Sequence, residues 1–153
     1  AGHMLVLAVD WRGTEHALQL AGPERLAGKV LIDVTNPLDF SSGLPPRLDI
    51  GHTDSGAEQV QRWAPGARVV KAFNTINWRL MIDPPTPPPV IPLAGDDAAA
   101  KEQVAQWAEA MGIHSVDVGG IYHARATEYL IVMMLNNSFT GSEKFEVVFR
   151  PAE

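Results

Sequence analysis

Lys29-Val30-Leu31-Ile32-Asp33-Val34-Thr35-Asn36-Pro37 is an almost unbroken apolar, β-branched run that stops at an Asn-Pro pair. A strand that alternates apolar and polar residues faces a core on one side only. A continuous run such as this one needs cover on both faces, which is the condition of a parallel sheet with helices above and below. The pattern recurs on either side of it. Leu5 to Val9 (LVLAV), Arg68 to Phe73 (RVVKAF), Val90 to Ala94 (VIPLA) and Ser115 to Val118 (SVDV) read as further strands. Helical stretches separate them. Thr14 is placed to cap a helix through about Ala21, which Gly22-Pro23 ends. Ser55-Gly56-Ala57-Glu58 has the spacing of a capping box, and Ala57, Val60 and Trp63 then fall close to one helical face.

Asn74 to Ile82 holds a turn or two of helix before Asp83-Pro84-Pro85-Thr86-Pro87-Pro88-Pro89, which reads as an exposed, stiff connector. The clearest helix starts at Gly95-Asp96-Asp97 and ends at Met111 with Gly112 as its stop. Its apolar stripe is Val104, Trp107, Ala108 and Met111, at i, i+3, i+4 and i+7. A further helix covers about Tyr122 to Leu135, and Phe145 to Phe149 is expected as a last, antiparallel edge strand. Repeated β-α-β units predict a doubly wound, mainly parallel α/β sheet with helices on both faces.

The bulk properties agree with one domain. A chain of 153 residues, 46% hydrophobic and 20% charged, can bury one real core but not two ordinary ones. The first four residues, Ala1-Gly2-His3-Met4, read as a cleavage scar and a start methionine, leaving residues 5–153 as the domain. With a net charge of −6 and no stripe of Lys or Arg, neither nucleic acid nor an anionic membrane is an expected partner. The absence of cysteine excludes disulfides, thiolate metal sites and a Cys nucleophile. Tyr129 to Leu135 is the longest apolar stretch and falls far short of the ~20 residues of a membrane span. A cytoplasmic location is the expectation.

Several segments, in order, resemble one family. They are Ile32-Asp33-Val34-Thr35-Asn36-Pro37-Leu38; Ser55-Gly56-Ala57-Glu58; Val69-Val70-Lys71-Ala72-Phe73-Asn74-Thr75-Ile76; Ala94-Gly95-Asp96-Asp97 ahead of Lys101; and Val116-Asp117-Val118-Gly119-Gly120 ahead of Ala124-Arg125. Their order and spacing resemble the NADP-binding Rossmann domain of deazaflavin (coenzyme F420)-dependent NADP oxidoreductases. The cytosolic reductase domain of six-transmembrane ferric reductases is similar in the same places. The resemblance covers nearly all of the chain from Leu5 onward.

The family begins with a strand, a G-x-G-x-x-G turn and a helix whose backbone amides grip the pyrophosphate. No G-x-G-x-x-G occurs in these 153 residues. The resemblance aligns Leu5 to Val9 with the strand that opens the second half of the fold. The expectation is therefore an incomplete Rossmann-like domain, N-terminally truncated, with Leu5 to Val9 exposed along one side. An unpaired apolar strand of that kind favours a homodimer.

The resemblance also implies a cofactor, NADP, and a second substrate, a deazaflavin or flavin. Ala8, Val9, Asn36, Pro37, Ala72, Asn74 and Thr75 are the implied cofactor-binding residues, because ligands of open α/β sheets sit beyond the C-terminal strand ends. Asn36, Asn74 and Thr75 offer hydrogen bonds to a carboxamide or ribose; Pro37 and Ala72 offer a close apolar wall. Asn, Thr and Pro at these positions are equally the residues of strand caps and turns. Where the family has Pro after Ala-Val, this chain has Asp10. Hydride transfer between two rings rests on positioning, so no catalytic acid or base is assigned.

Other residues read as structural. Lys71, within a strand, is expected to snorkel to solvent, with a functional amine as the alternative. His16, His52, His114 and His123 lack ligand spacing, so no metal site is expected. Asp96-Asp97 reads as an N-cap, and Arg125 and Glu128, three apart, as a pair on one helix. Trp63 and Trp107 read as core anchors, Trp11 and Trp78 as loop or interface contacts. Three functional readings follow: an NADP-dependent oxidoreductase domain impaired by the missing phosphate loop, a non-catalytic dimeric scaffold derived from that fold, or a fragment of a complete reductase.

Overall fold

The structure, a computed structural model, describes residues 2–140 and Phe149 of the chain. In chain order the strands are β1 (Met4–Leu7), β2 (Val30–Asp33), β3 (Leu38–Asp39), β4 (Arg47–Leu48), β5 (Arg68–Lys71), β6 (Val90–Ala94) and β7 (His114–Gly119). The helices are α1 (Thr14–Ala21), α2 (Pro23–Leu26), α3 (Gly56–Trp63), α4 (Trp78–Ile82), α5 (Ala98–Ala110) and α6 (Ala124–Thr140), with short 3-10 turns at Trp11–Gly13 and Ile121–His123.

Strand parity divides the apolar runs between two cores. Val30, Ile32, Val70, Ile91 and Leu93 turn to one face, where α5 covers them with Ala100, Val104 and Ala108. Leu31 and Val69 turn to the other and meet Leu18, Leu26, Ala57, Val60 and Ala124 from α1, α2, α3 and α6. This is why the strands read as continuous rather than alternating.

The main sheet has the order β1-β2-β5-β6-β7. β1, β2 and β5 are parallel, as are β6 and β7, whereas β5 and β6 run antiparallel and meet only at Lys71 and Ala94. A parallel connection needs a crossover of a dozen or more residues, usually a full helix. Here β5 is followed only by the five-residue α4 and the Pro-rich connector, so the chain returns in the opposite sense. β1 lies at one edge and, among the described residues, nothing pairs with its outer side. Val6, on that strand, is 49% exposed.

Several expectations are corrected. β1 ends at Leu7, so Ala8 and Val9 have already left the sheet. Thr14 is the first residue of α1 rather than its cap; its buried hydroxyl donates to the Asp10 carbonyl at 3.2 Å, while the Asp10 carboxylate caps the preceding 3-10 turn. The loop after Asn36-Pro37 contains the two-stranded β3–β4 ribbon. Trp11 is buried, 5.6 Å from the Trp63 ring, and donates its indole N–H to Asp49 at 2.8 Å. Trp107 instead is 39% exposed, edge-on to Phe73 at the margin of the core. Of the expected last strand, Phe149 forms an antiparallel bridge with Val90; residues 145–148 lie outside the described residues. Among the described residues no helix is long and apolar enough to cross a membrane.

Candidate functional site

Three chain segments leave the C-terminal ends of β1, β2 and β5 side by side: Ala8-Val9-Asp10, Val34-Thr35-Asn36-Pro37 and Ala72-Phe73-Asn74-Thr75. Ala8, Val9, Asp10, Trp11, Val34, Thr35 and Asn36 line an open cavity of about 360 Å³, closed on one side by Leu38 and Phe40. Asn74 joins it from behind. Its amide donates to Asn36 Oδ1 at 3.1 Å and to the Thr127 carbonyl of α6 at 3.3 Å. Among the described residues, Asn74 Oδ1 and Thr75 Oγ1 are buried without a hydrogen-bond partner. Buried polar atoms are nearly always paired, so two orphans at adjacent positions mark this strand end. Phe73, just before them, has φ of 63°, a left-handed conformation costly for a non-glycine residue and concentrated at functional sites.

Of the residues implied for cofactor binding, Ala8, Val9 and Asn36 line the cavity and Asn74 is tied to it through Asn36. Pro37 packs against the start of α3: a methyl group on Gly56 would stand 3.3 Å from Pro37 Cγ and 3.2 Å from the Trp11 ring. Ala72 lies wholly in the core under α5, and Thr75 is buried.

Beneath the cavity is a charged cluster that the sequence reading missed. Lys71 does not reach solvent. It is buried, with its ammonium 3.0 Å from Asp33 Oδ2 and 2.9 Å from Glu128 Oε1, and it donates to the Thr35 carbonyl. Asp33 in turn accepts from the Thr35 amide at 2.9 Å and hydroxyl at 2.7 Å. Glu128 accepts from the Gly56 and Ala57 amides at 2.8 and 3.1 Å, satisfying the free donors at the start of α3. Burial pushes the Lys71 ammonium down, but the attraction of Asp33 and then Glu128 outweighs it and holds the pKa above its ordinary value. Burial pushes the Glu128 carboxyl up against the pull of Lys71, and nearby Asp33 adds to the rise.

The signal for the cluster was strand parity. Asp33 shares a face with Leu31, Lys71 shares one with Val69, and the β2–β5 register sets Asp33 directly beside Lys71. A lysine mid-sheet with cover on both sides has no water to reach, so it must find carboxylates. Glu128 belongs to the buried stripe Ala124, Thr127, Glu128 and Ile131 of α6. The expected Arg125–Glu128 pair is therefore absent. Arg125 forks instead onto Glu58, at 2.8 and 2.6 Å, while Ser55 both caps α3 and donates to the same carboxylate. Asp97 caps α5 as expected, and Asp96 accepts from the Ile121 amide. Among the described residues no group of His, Asp or Glu could hold a metal ion.

Hydrogen bonding from Arg125 holds Glu58 below the ordinary glutamate value of 4.5, against the effect of burial. A lowered folded pKa contributes stability above 4.5 that is lost as pH falls through the folded value. Glu128 has the opposite sign: its contribution is present in acid and is lost as pH rises through its raised value. Glu58→Gln should therefore flatten the fall in melting temperature as the pH drops below about 4.5, read by circular dichroism. An unchanged slope would mean that the Arg125 fork carries none of the acid sensitivity.

An open, mainly parallel sheet covered on both faces, with a cleft at its strand ends, defines a Rossmann-like α/β domain, the fold on which dinucleotide-dependent oxidoreductases are built. The relatives agree. A solved structure from Arthrobacter sp. FB24, assigned as an F420-dependent NADP-reductase, superposes with a TM-score of 0.85 at 38% identity, covering 95% of this chain and 69% of that one. The F420-dependent NADP reductase of Methanothermobacter marburgensis is 34% identical over 118 residues, 74% of this chain and 53% of that protein. Metalloreductase STEAP3 of Rattus norvegicus is 34% identical over 113 residues, 73% of this chain but only 22% of that protein. No family model matches the chain. The chain belongs to the F420-dependent NADP reductase family. It spans about half of the Methanothermobacter reductase and about a fifth of the metalloreductase.

Proposed function

We propose that this chain is a cytoplasmic oxidoreductase domain that holds the nicotinamide end of NADP(H) at the cavity above β1, β2 and β5, facing a deazaflavin or flavin acceptor. The observation that carries this reading is the unpartnered, buried Asn74 Oδ1 beside Asn36 and the cavity. A carboxamide needs an acceptor for its N–H groups and an apolar wall for its ring. Asn74 and Asn36 would supply the first; Ala8, Val9 and Val34 would supply the second. NADPH, when bound, supplies the hydride. The chain's part is to orient the ring and to keep water off one face of it.

The described residues contribute no glycine turn for the pyrophosphate, so binding to this chain alone is expected to be weak. Titration with NADPH, followed by amide resonances in NMR spectra, should shift Ala8, Asn36 and Asn74 with a dissociation constant of about 0.1–1 mM, roughly −4 to −5.5 kcal/mol. Absence of any shift at those residues up to 10 mM NADPH would overturn the proposal.

The free outer edge of β1 and the exposed Val6 favour a second, compatible reading: a homodimer in which two copies of β1 pair across a two-fold axis. It also covers the alternative of a dimeric scaffold without catalysis. Light scattering at micromolar concentration should return twice the 16.6 kDa chain mass; a monomer, or a dimer that survives Val6→Lys, would sink it.

A further inference from the structure

We propose that Lys71 is a positioning residue for the strand-end cavity: through Asp33, Glu128 and the Thr35 carbonyl it fixes two stretches of the lining, Thr35-Asn36 and Trp11, without touching the contents of the site. This rests on the reading of that cavity as the nicotinamide site.

Two stretches of the cavity lining adjoin the charged cluster. One is the turn at Thr35-Asn36, the other is Trp11. Thr35 lies within hydrogen-bond reach of the cluster through three groups: its amide and hydroxyl donate to Asp33, and its carbonyl accepts from the Lys71 ammonium. Asn36, the next residue, therefore has little freedom to move. On the other side, Glu128 accepts from the Gly56 and Ala57 amides and draws the start of α3 against the sheet. Gly56 is the contact point: Glu128 Oε1, the Trp11 ring and Pro37 Cγ all stand 3.2–3.3 Å from where a methyl group would be. The helix turn that carries Glu128 also presents the Thr127 carbonyl to Asn74. Lys71 is the member of this assembly that contacts both carboxylates, one from β2 and one from α6.

Stability alone does not call for this arrangement. Well-packed apolar residues of similar volume often replace a buried ion cluster at no net loss. A buried charge network instead holds its members in a single geometry, which is what a binding wall needs.

The test separates geometry from stability by removing all three charges at once. In the variant Asp33→Asn, Lys71→Met, Glu128→Gln no buried charge is left unpaired, so the fold is expected to survive. Two readouts are compared with the wild-type chain: the NADPH dissociation constant, and the side-chain amide resonances of Asn36 and Asn74 without ligand. The expected result is a melting temperature within a few degrees of wild type. Affinity should fall at least tenfold, and the two Asn amide signals should be broadened or shifted. Equal affinity and unchanged Asn signals in a folded variant would overturn the proposal. Should the triple variant not fold, Glu128→Gln alone is measured in the same way, with a smaller shift expected and unchanged signals again decisive against it. If the wild-type chain binds no NADPH, the functional reading has failed. The ligand-free Asn signals then still decide whether Lys71 positions the lining.

Discussion

Lys71→Met is expected to destabilise the chain by about 3–5 kcal/mol, the usual result of removing one partner from a buried ion pair. Methionine fills most of the lysine volume, so the loss is electrostatic rather than a cavity effect. Asp33 and Glu128, both fully buried, are left close together with no cation between them. Each must then either stay ionised in a poorly solvating interior or take up a proton, and both options weaken the folded state near neutral pH. The variant should accordingly regain stability on acidification towards pH 5, the reverse of the Glu58 effect. Urea denaturation at pH 7.5 and 5.0 measures both points. For a domain whose total stability is about 5–15 kcal/mol, such a loss is a large fraction. A loss below about 1 kcal/mol at pH 7.5 would show that the carboxylates do not need the ammonium.

The second large effect is expected at Gly95, between β6 and α5. A methyl group there would stand 2.7 Å from the Val69 carbonyl oxygen and 3.4 Å from Val70 Cα. Both are backbone atoms of β5, the central strand of the sheet, so no side chain can swing aside to relieve the contact. Gly95 also donates its N–H to the Gly119 carbonyl at 3.0 Å, which holds it in place from the other side. Gly95→Ala should therefore cost about 2–3 kcal/mol through overpacking, or roughly 6–10 °C in melting temperature for a domain of this size. Gly13→Ala is the internal control, because a methyl group there meets nothing within 4 Å. Equal melting temperatures for the two variants would mean that β5 yields more easily than its central place suggests.

The two residues illustrate different degrees of legibility. Gly95 stood in a motif, Ala94-Gly95-Asp96-Asp97, whose role as the opening of a helix could be read directly, since Asp97 caps α5 in the structure. The reason for glycine could not be read, because it depends on how closely the chain passes β5. Lys71 was harder. Its neighbours in sequence are apolar, and a strand lysine by itself is ambiguous between snorkelling and burial. Parity and register together resolve it, but register is a property of two strands and not of one. The Arg125–Glu128 expectation failed for the same reason: three-residue spacing permits a pair, and a stronger partner across space, Glu58 for one and Lys71 for the other, displaced it.

What the sequence by itself determined was the class of fold. Continuous apolar runs of strand length, alternating with capped helices, can be satisfied only by a sheet covered on both faces, because each run has no polar side to give to water. It also determined the family, through motifs whose order survives without any coordinates. The tertiary structure alone decided three things. The sense of β6 followed from a connector too short in helix to recross the sheet. The partners of the buried charges followed from register and helix placement, since charge pairing in an interior is chosen by proximity and not by spacing along the chain. The composition of the strand-end site followed from where β1, β2 and β5 stop. Ala8, Val9 and Asn36 came to line a cavity, while Ala72, one residue beyond its strand, was carried into the core instead.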